Sequence, residues 1–413
     1  MSNSRKNFQL KDIVNIQSGT RIFEKEYVEE GIPFYRSKEI IEKQKVNDVS
    51  TNLYISKERY NRIKQTYSVP RQGDILLTSV GTIGIPYMVR ENEQFYFKDE
   101  NLTWFNNFSK EIDNKYFYYW LLSEVGKEAL NSILIGTTQK ALTIKNLKSL
   151  EISLPPLSEQ KRISSILSSF DNKIEQLKKE NNILEDIAQS IFKEWFVKYN
   201  FPNKDGKPYK DNNGKMIDSE LGLIPEGWRV TTYGEMEDLK NGINYSRDEH
   251  GDTVCKIINT RDIVETNYIT DQNLEKINID KEKAEKYIID ENDILIIRSA
   301  SPGKVAVVQN PSGMIIYSGF IIRLSPKDIN TKWYLYEDLK EKGPKLTKYS
   351  ESSVMKNINQ QIINNTKVII PSTKILNKYH TIANNIHEKI WNNTLETFNV
   401  KKSKNAALNK LIK

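Results

Sequence analysis

Residues Leu154–Tyr199 read LPPLSEQKRISSILSSFDNKIEQLKKENNILEDIAQSIFKEWFVKY. The double proline closes an extended segment. Ser158 supplies a helix cap, and Glu159 and Gln160 sit in the first turn, where acidic and amide side chains favour a helix start. Apolar residues then recur at alternating steps of four and three: Ile163, Leu167, Phe170, Ile174 and Leu177, and again Leu184, Ala188, Ile191 and Trp195. This is a heptad seam. Asn181 interrupts it at a core position, where a buried amide commonly fixes register or partner orientation. A helix of roughly 40 residues is about 60 Å long, more than one compact domain needs, so it reads as a spacer between domains.

The chain is a tandem repeat. GDILLTSVGTIGIPYMV (73–89) has a counterpart in NDILIIRSASPGKVAVV (292–308), each an acid-led apolar strand, a Ser/Gly-rich turn and a returning strand. LEISLPPL (150–157) corresponds to KVIIPST (367–373). FQLKDIVNIQSG from Phe8 corresponds to WRVTTYGEMEDLKNG from Trp228, and PFYRSKEI from Pro33 to KIINTRDI from Lys256. The pairs keep their order at an offset of about 220 residues, the signature of a duplicated unit. A second long helix is expected from about Lys374, with Tyr379, Ala383, Ile386 and Ile390 at the seam spacing. Its seam weakens through Asn393, Thr397 and Val400 and recovers at Leu408 and Leu411.

The expected fold is α+β, with two tandem, pseudo-two-fold related domains (mostly β with helices) separated by two long antiparallel coiled-coil helices. The expected boundaries are 1–155 for the first domain, 156–200 for the central helix, 201–227 for a linker, 228–371 for the second domain and 372–413 for the C-terminal helix. Pro, Gly, Asn and Lys mark FPNKDGKPYKDNNGKMIDSELGLIPEGW (201–228) as a linker or extended arm. Helix pairing is assigned to Ile163, Leu167, Phe170, Ile174, Leu177, Asn181 and Leu184 against Tyr379, Ile386 and Ile390. The symmetry suits a two-fold duplex, yet a stalk that merely joins or dimerises two modules has the same pattern.

Composition bounds the function. The 413 residues carry 61 basic and 54 acidic side chains, a formal charge of +7 that permits a polyanionic partner without requiring one. No apolar run approaches the roughly 18 residues of a membrane span, and MSNSRKNFQL lacks a signal-peptide core, so a cytoplasmic protein is expected. The single cysteine, Cys255, excludes an internal disulfide framework and a cysteine-built zinc site. His250, His380 and His387 are dispersed. His380 and His387 share a helix face without a third ligand, so no metal site is expected.

GDILLTSVGTIG, ISLPPLSEQKRI, the helix ending IAQSIFKEWFVKYNFPN, and then DGKPYK and LGLIPEGW together resemble the specificity subunit of Type I restriction–modification systems. The resemblance covers the whole chain, and Leu154–Trp228 is its most specific part. It implies a non-catalytic DNA-reading subunit with two target recognition domains, each reading half of a split sequence in double-stranded DNA, and a helix pair that fixes the spacer. It further implies docking of two adenine methyltransferase subunits on the helices, joined by restriction/translocase subunits. No cofactor is expected in this chain; S-adenosylmethionine, ATP and Mg belong to the partners. In agreement, the chain has no NPPY-like loop (NPSG at Asn310 is the nearest string), no Pro-Asp dipeptide and no GxxxxGK[ST] loop. A stand-alone coiled-coil adaptor with two protein- or peptide-binding domains is the alternative from another class.

Base reading needs bidentate donors or acceptors in a groove, while positioning needs Lys, Arg and hydroxyls on phosphates. The polar turns of the first domain supply Arg36, Ser37 and Lys38; Thr78, Ser79 and Thr82; and Thr137, Thr138, Gln139 and Lys140. The matching turns of the second supply Asn259 and Arg261; Arg298, Ser299 and Ser301; and Ser352, Ser353 and Lys356. Arg36, Arg298 and Gln139 stand out, because Arg–guanine and Gln–adenine pairs are common bidentate readers. Ordinary solvated turns have the same composition. The aromatic run YFYYW (116–120) is assigned to core at helical spacing.

Overall fold

A computed structural model of the chain describes residues 5–45, 49, 51–136, 140–245, 251–299, 301–346 and 357–413. The chain divides into two compact units, Met1–Ile174 with Val400–Lys413 and Glu175–Asn399. Each long helix therefore contributes to both units.

In the first unit, Lys6–Gln9 pairs antiparallel with Glu151–Leu154, joining the start of the domain to the strand that precedes the long helix. A four-stranded antiparallel sheet runs in the order Asn15–Gln17, Leu102–Asn106, Ile75–Thr78, Pro86–Met88. A second sheet orders Tyr27–Val28, Tyr54–Ile55, Ile32–Tyr35 and Tyr96–Phe97, and its last pair is parallel. The second unit repeats the plan. Arg229–Thr232 pairs with Lys367–Ile370. Ile321–Pro326, Ile294–Ile297 and Val305–Val308 form the middle of a five-stranded sheet, and Thr253–Ile258 runs parallel to Ile315–Tyr317. ILII and VAVV are buried at every position. That is why their sequence runs apolar without alternation, as strands covered on both faces do.

YFYYW lies on helix Asn114–Leu122, whose N-cap Asp113 accepts from the Tyr116 N–H. Tyr116, Phe117, Tyr119 and Trp120 are buried in one core with Ile163 and Leu167 of the first long helix, Leu408 of the second and Ile412 just beyond its end. The first long helix spans Leu157–Phe192 and ends in a π-helical turn, Lys193–Val197. It starts one residue before the expected cap. Pro156 supplies the carbonyl that accepts from the Glu159 and Gln160 N–H groups, and Ser158 lies inside the first turn. The buried Gln160 amide fastens that turn, donating to the Pro155 and Glu111 carbonyls and accepting from the Asp113 N–H.

The second long helix runs unbroken over Thr373–Leu411. Within the first unit, Asp171 meets Lys404 while Ile163 and Leu167 share a core with Leu408 and Ile412. Within the second, Asn181 meets Ile390–Thr394 while Trp195 meets Tyr379. In both places the helices are antiparallel. Ile163, Leu167, Leu177, Tyr379 and Ile390 are buried, and Phe170, Ile174, Asn181, Leu184 and Ile386 are half-buried. The weak stretch of the second seam has a partner: Asn393 is 1% exposed and donates to Asn181 Oδ1 at 2.9 Å.

Residues 201–227, expected as a linker, are folded onto the second unit. Phe201 stacks between Tyr209 and Trp228, at centroid distances of 4.5 and 5.0 Å, and Met216–Ser219 forms a hairpin with Gly222–Pro225. Composition marked the turns; the aromatic side chains among them decide the packing.

The core of the second unit also holds ionisable groups. His387 is fully buried, stacks on Trp333 at 3.8 Å, and shares a 2.6 Å hydrogen bond with the Tyr268 hydroxyl through Nδ1. Its Nε2 lies 3.6 Å from the buried Glu337 carboxylate. Burial raises the Glu337 carboxyl to about 7, with Lys340 opposing. A carboxyl whose pKa is raised on folding favours the folded state while protonated. That contribution is lost as pH climbs from the unfolded value near 4.5 towards 7. Glu337→Gln is therefore expected to gain stability relative to the parent chain across that window, as read by paired urea titrations at several pH values. A pH-independent difference would contradict it.

Candidate DNA interface

Three long-range backbone hydrogen bonds assemble one loop cluster in each unit, and they repeat pair for pair. In the first, Lys98 N–H donates to Tyr35 O (2.8 Å), Ser79 N–H to Asn101 O (2.9 Å) and Leu142 N–H to Ser79 O (3.0 Å). In the second, Ser318 N–H donates to Ile258 O (3.0 Å), Arg298 N–H to Phe320 O (2.9 Å) and Ile358 N–H to Arg298 O (2.8 Å). These bonds bring 35–37, 79, 98–101 and 140–142 together in one unit, and 258–261, 298, 318–320 and 358 together in the other. The turns at Arg36 and Ser79 thus meet in one cluster, and those at Asn259 and Arg298 in the other.

The side chains in the two clusters differ in availability. Arg36 is the residue before helix Ser37–Lys45. Its N–H donates to Glu39 Oε2, and its guanidinium grips the same carboxylate at 2.7 and 3.3 Å. Burial alone would raise the Glu39 carboxyl, but the Arg36 hydrogen bonds outweigh it and hold it below the ordinary range. The Arg36 fork is therefore occupied. Asn259 repeats the device in the second unit, where its N–H donates to Asp262 Oδ2 at 2.8 Å. Arg261 lies 3.3 Å from Asp262 and 3.7 Å from Glu275. Ser37 Oγ donates to Asn101 O, and Lys38 is well exposed, 3.8 Å from Glu42.

Thr78 and Ser79 do not reach the surface. They are 0% and 1% exposed; Thr78 Oγ1 accepts from the Ile85 N–H, and Ser79 Oγ bonds Thr103 Oγ1 at 2.7 Å. They end the central strand, and burial of that strand takes both out of the set of groove-facing residues. The free tip lies beyond them, at Gly81 (φ 78°) and the exposed Thr82. Lys140 is exposed as well. Thr137, Thr138, Gln139, Ser352, Ser353 and Lys356 lie outside the described residues.

Arg298 is half-exposed and has no side-chain hydrogen bond or ion pair among the described residues. Ser299 holds its Oγ inward, and Ser301 is half-buried in the following turn. That turn needs Gly303. Its φ is 91°, and a Cβ there would stand 2.3 Å from the Gly343 carbonyl oxygen. Sequence reading missed Asn101 and Phe320, the partners of Ser79 and Arg298 across the strand pair. Aligning KDEN (98–101) with SGF (318–320) in the repeat would have found them.

A family model described as Type I restriction modification DNA specificity domain matches residues 4–209 and 225–405. The Type I restriction enzyme MjaIX specificity subunit of Methanocaldococcus jannaschii is 27% identical over 98% of this chain and 91% of its own length. A putative type I restriction enzyme specificity subunit of Haemophilus influenzae, S.HindORF215P, is 37% identical over 40% of this chain and 39% of its own. The crystal structure of a Type I restriction–modification S subunit from M. genitalium shares the fold, with a TM-score of 0.57 at 16% identity over 99% of this chain and 96% of that one. Two matched segments, one in each repeat, cover nearly the whole sequence, and the chain belongs to the Type I restriction–modification DNA specificity family.

Proposed function

We propose that this chain, a non-catalytic specificity subunit, reads a bipartite target in double-stranded DNA, one half-site per repeat, and docks two adenine methyltransferase subunits on its paired helices. The observation that carries the reading is the loop cluster built twice by the same three backbone hydrogen bonds and furnished with different side chains. A duplicated frame with divergent readers suits a split, asymmetric sequence. Phosphate contacts position such a frame, and base-edge contacts give it sequence.

Methyl transfer and restriction fall to the partners in this reading. S-adenosylmethionine is placed on the methyltransferase subunits, and ATP with Mg on the restriction/translocase subunits. Among the described residues no helix is long and apolar enough to cross a membrane, which accords with a cytoplasmic complex.

The test is methylome sequencing of a host that expresses this chain with its modification subunits, beside a host that lacks this chain alone. The expected result is one bipartite motif with adenine methylation in both halves, absent from the second host. Methylation at an unsplit motif, or at the same motif without this chain, would refute the proposal.

A further inference from the structure

The end of one strand pair places a two-residue reader in the second unit. Ile297 of Ile294–Ile297 faces Ile321 of Ile321–Pro326, and both side chains enter the core. The ladder ends there: Ile321 N–H donates to Ser318 O at 3.0 Å, closing a turn that carries Phe320, and Arg298 N–H donates to Phe320 O at 2.9 Å. Arg298 and Phe320 are therefore held as neighbours at the edge of the sheet. Phe320 is 61% exposed, and the pair is pinned from both sides: Gly319 N–H donates to Ile243 O at 2.7 Å, and Ile358 N–H to Arg298 O at 2.8 Å. An exposed ring on a pinned turn loses little freedom when covered, which is how aromatic anchors gain affinity.

The first unit sets the contrast. Its Thr78↔Leu102 pair is followed by the Ser79 N–H to Asn101 O bond, where a buried hydroxyl and a half-exposed amide replace the cation and the ring. The frame is the same and the chemistry is different. An amide suits an adenine edge; a guanidinium beside a phenyl ring suits guanine flanked by an apolar base surface.

We propose that Phe320 makes the apolar base contact of the half-site read by the second unit, beside Arg298. This rests on the DNA-reading function proposed above. The shared chemistry is an apolar base surface, either a thymine methyl group or the face of an unstacked base.

The experiment uses the complex of this chain with its modification subunits and a duplex bearing the motif obtained from the methylome. Phe320→Ala is expected to weaken binding about tenfold. Melting temperature and subunit stoichiometry should be unchanged, because the ring is exposed. Deoxyuridine in place of thymine in the second half-site separates the two sources. With a methyl contact, the parent complex loses affinity on this duplex and Phe320→Ala is indifferent to the change. With a ring-face contact, Phe320→Ala weakens both duplexes equally. Unchanged affinity and an unchanged methylated motif in Phe320→Ala overturn the inference while leaving the parent complex's DNA reading intact. A parent complex that binds no bipartite duplex removes the functional reading and this inference with it.

Discussion

Phe196→Ala is expected to destabilise the second unit by about 3–5 kcal/mol, the range for removing a buried aromatic ring. Phe196 closes the π-helical turn that ends the first long helix. It is 6% exposed and meets Tyr334 at 4.7 Å, Tyr379 at 4.8 Å and Trp228 at 5.9 Å between ring centroids. Those partners come from the helix Lys332–Leu346, the second long helix and the segment after the hairpin, so one ring joins four stretches of chain. Tyr334 and Tyr379 are themselves pinned in a closely packed core. Such a core relaxes little into a vacated volume, which puts the cost at the upper end. Val197→Ala is the control. Val197, the next residue, is 51% exposed, and surface substitutions of this kind stay within about 0.5 kcal/mol. Urea unfolding of both variants should separate them by several-fold in stability loss. Equal small effects would mean that the aromatic cluster is not what seats the helix end.

The long helices were legible in the sequence because their signal is local: a 3.5-residue period, a proline start and an apolar seam survive without knowledge of any neighbour. The repeat was legible for the same reason, since two copies of one unit carry two copies of each strand and turn. Site composition was less so. Thr78 and Ser79 looked like turn residues beside Gly81, but their strand continues far enough to bury them, and strand register alone sets which side chains face outward. Arg36 looked free because its partner, Glu39, reads as an ordinary acid in a helix's first turn. Phe320 was invisible as a reader: its role depends on standing opposite Arg298, a pairing that no window on one strand contains. His387 was legible only as a residue on one helix face, and its partner Glu337 was not legible at all, because only the packing of two elements buries them together.

Asn181 was legible as a core polar residue, and its partner was not. Asn393 looked like decay of the second seam, yet the two amides meet across the helix pair. Asn393 Nδ2 donates to Asn181 Oδ1 at 2.9 Å, and Asn181 Nδ2 lies 3.3 Å from both Ile390 O and Thr394 Oγ1. Asn181→Leu deletes the acceptor and strands a buried amide, so a loss of about 1–3 kcal/mol is expected. Asn393→Leu should cost a similar amount by removing the donor. The double replacement leaves no buried amide of this pair unpaired. It is expected to recover most of the loss, because apolar groups in place of both partners are close to neutral. A double-mutant cycle read by urea unfolding should therefore show strong non-additivity, whereas additive losses would mean that the amides act separately. Stability and specificity then part company. A helix one heptad out of register would bury the Asn pair against apolar side chains, and that penalty disappears in the double variant. Under the function proposed above, the doubly replaced chain is expected to stay close to the parent in stability while relaxing the spacer length of the methylated motif, which methylome sequencing reads directly. An unchanged spacer in a fully stable double variant would move the register signal from the Asn pair to the surrounding apolar seam.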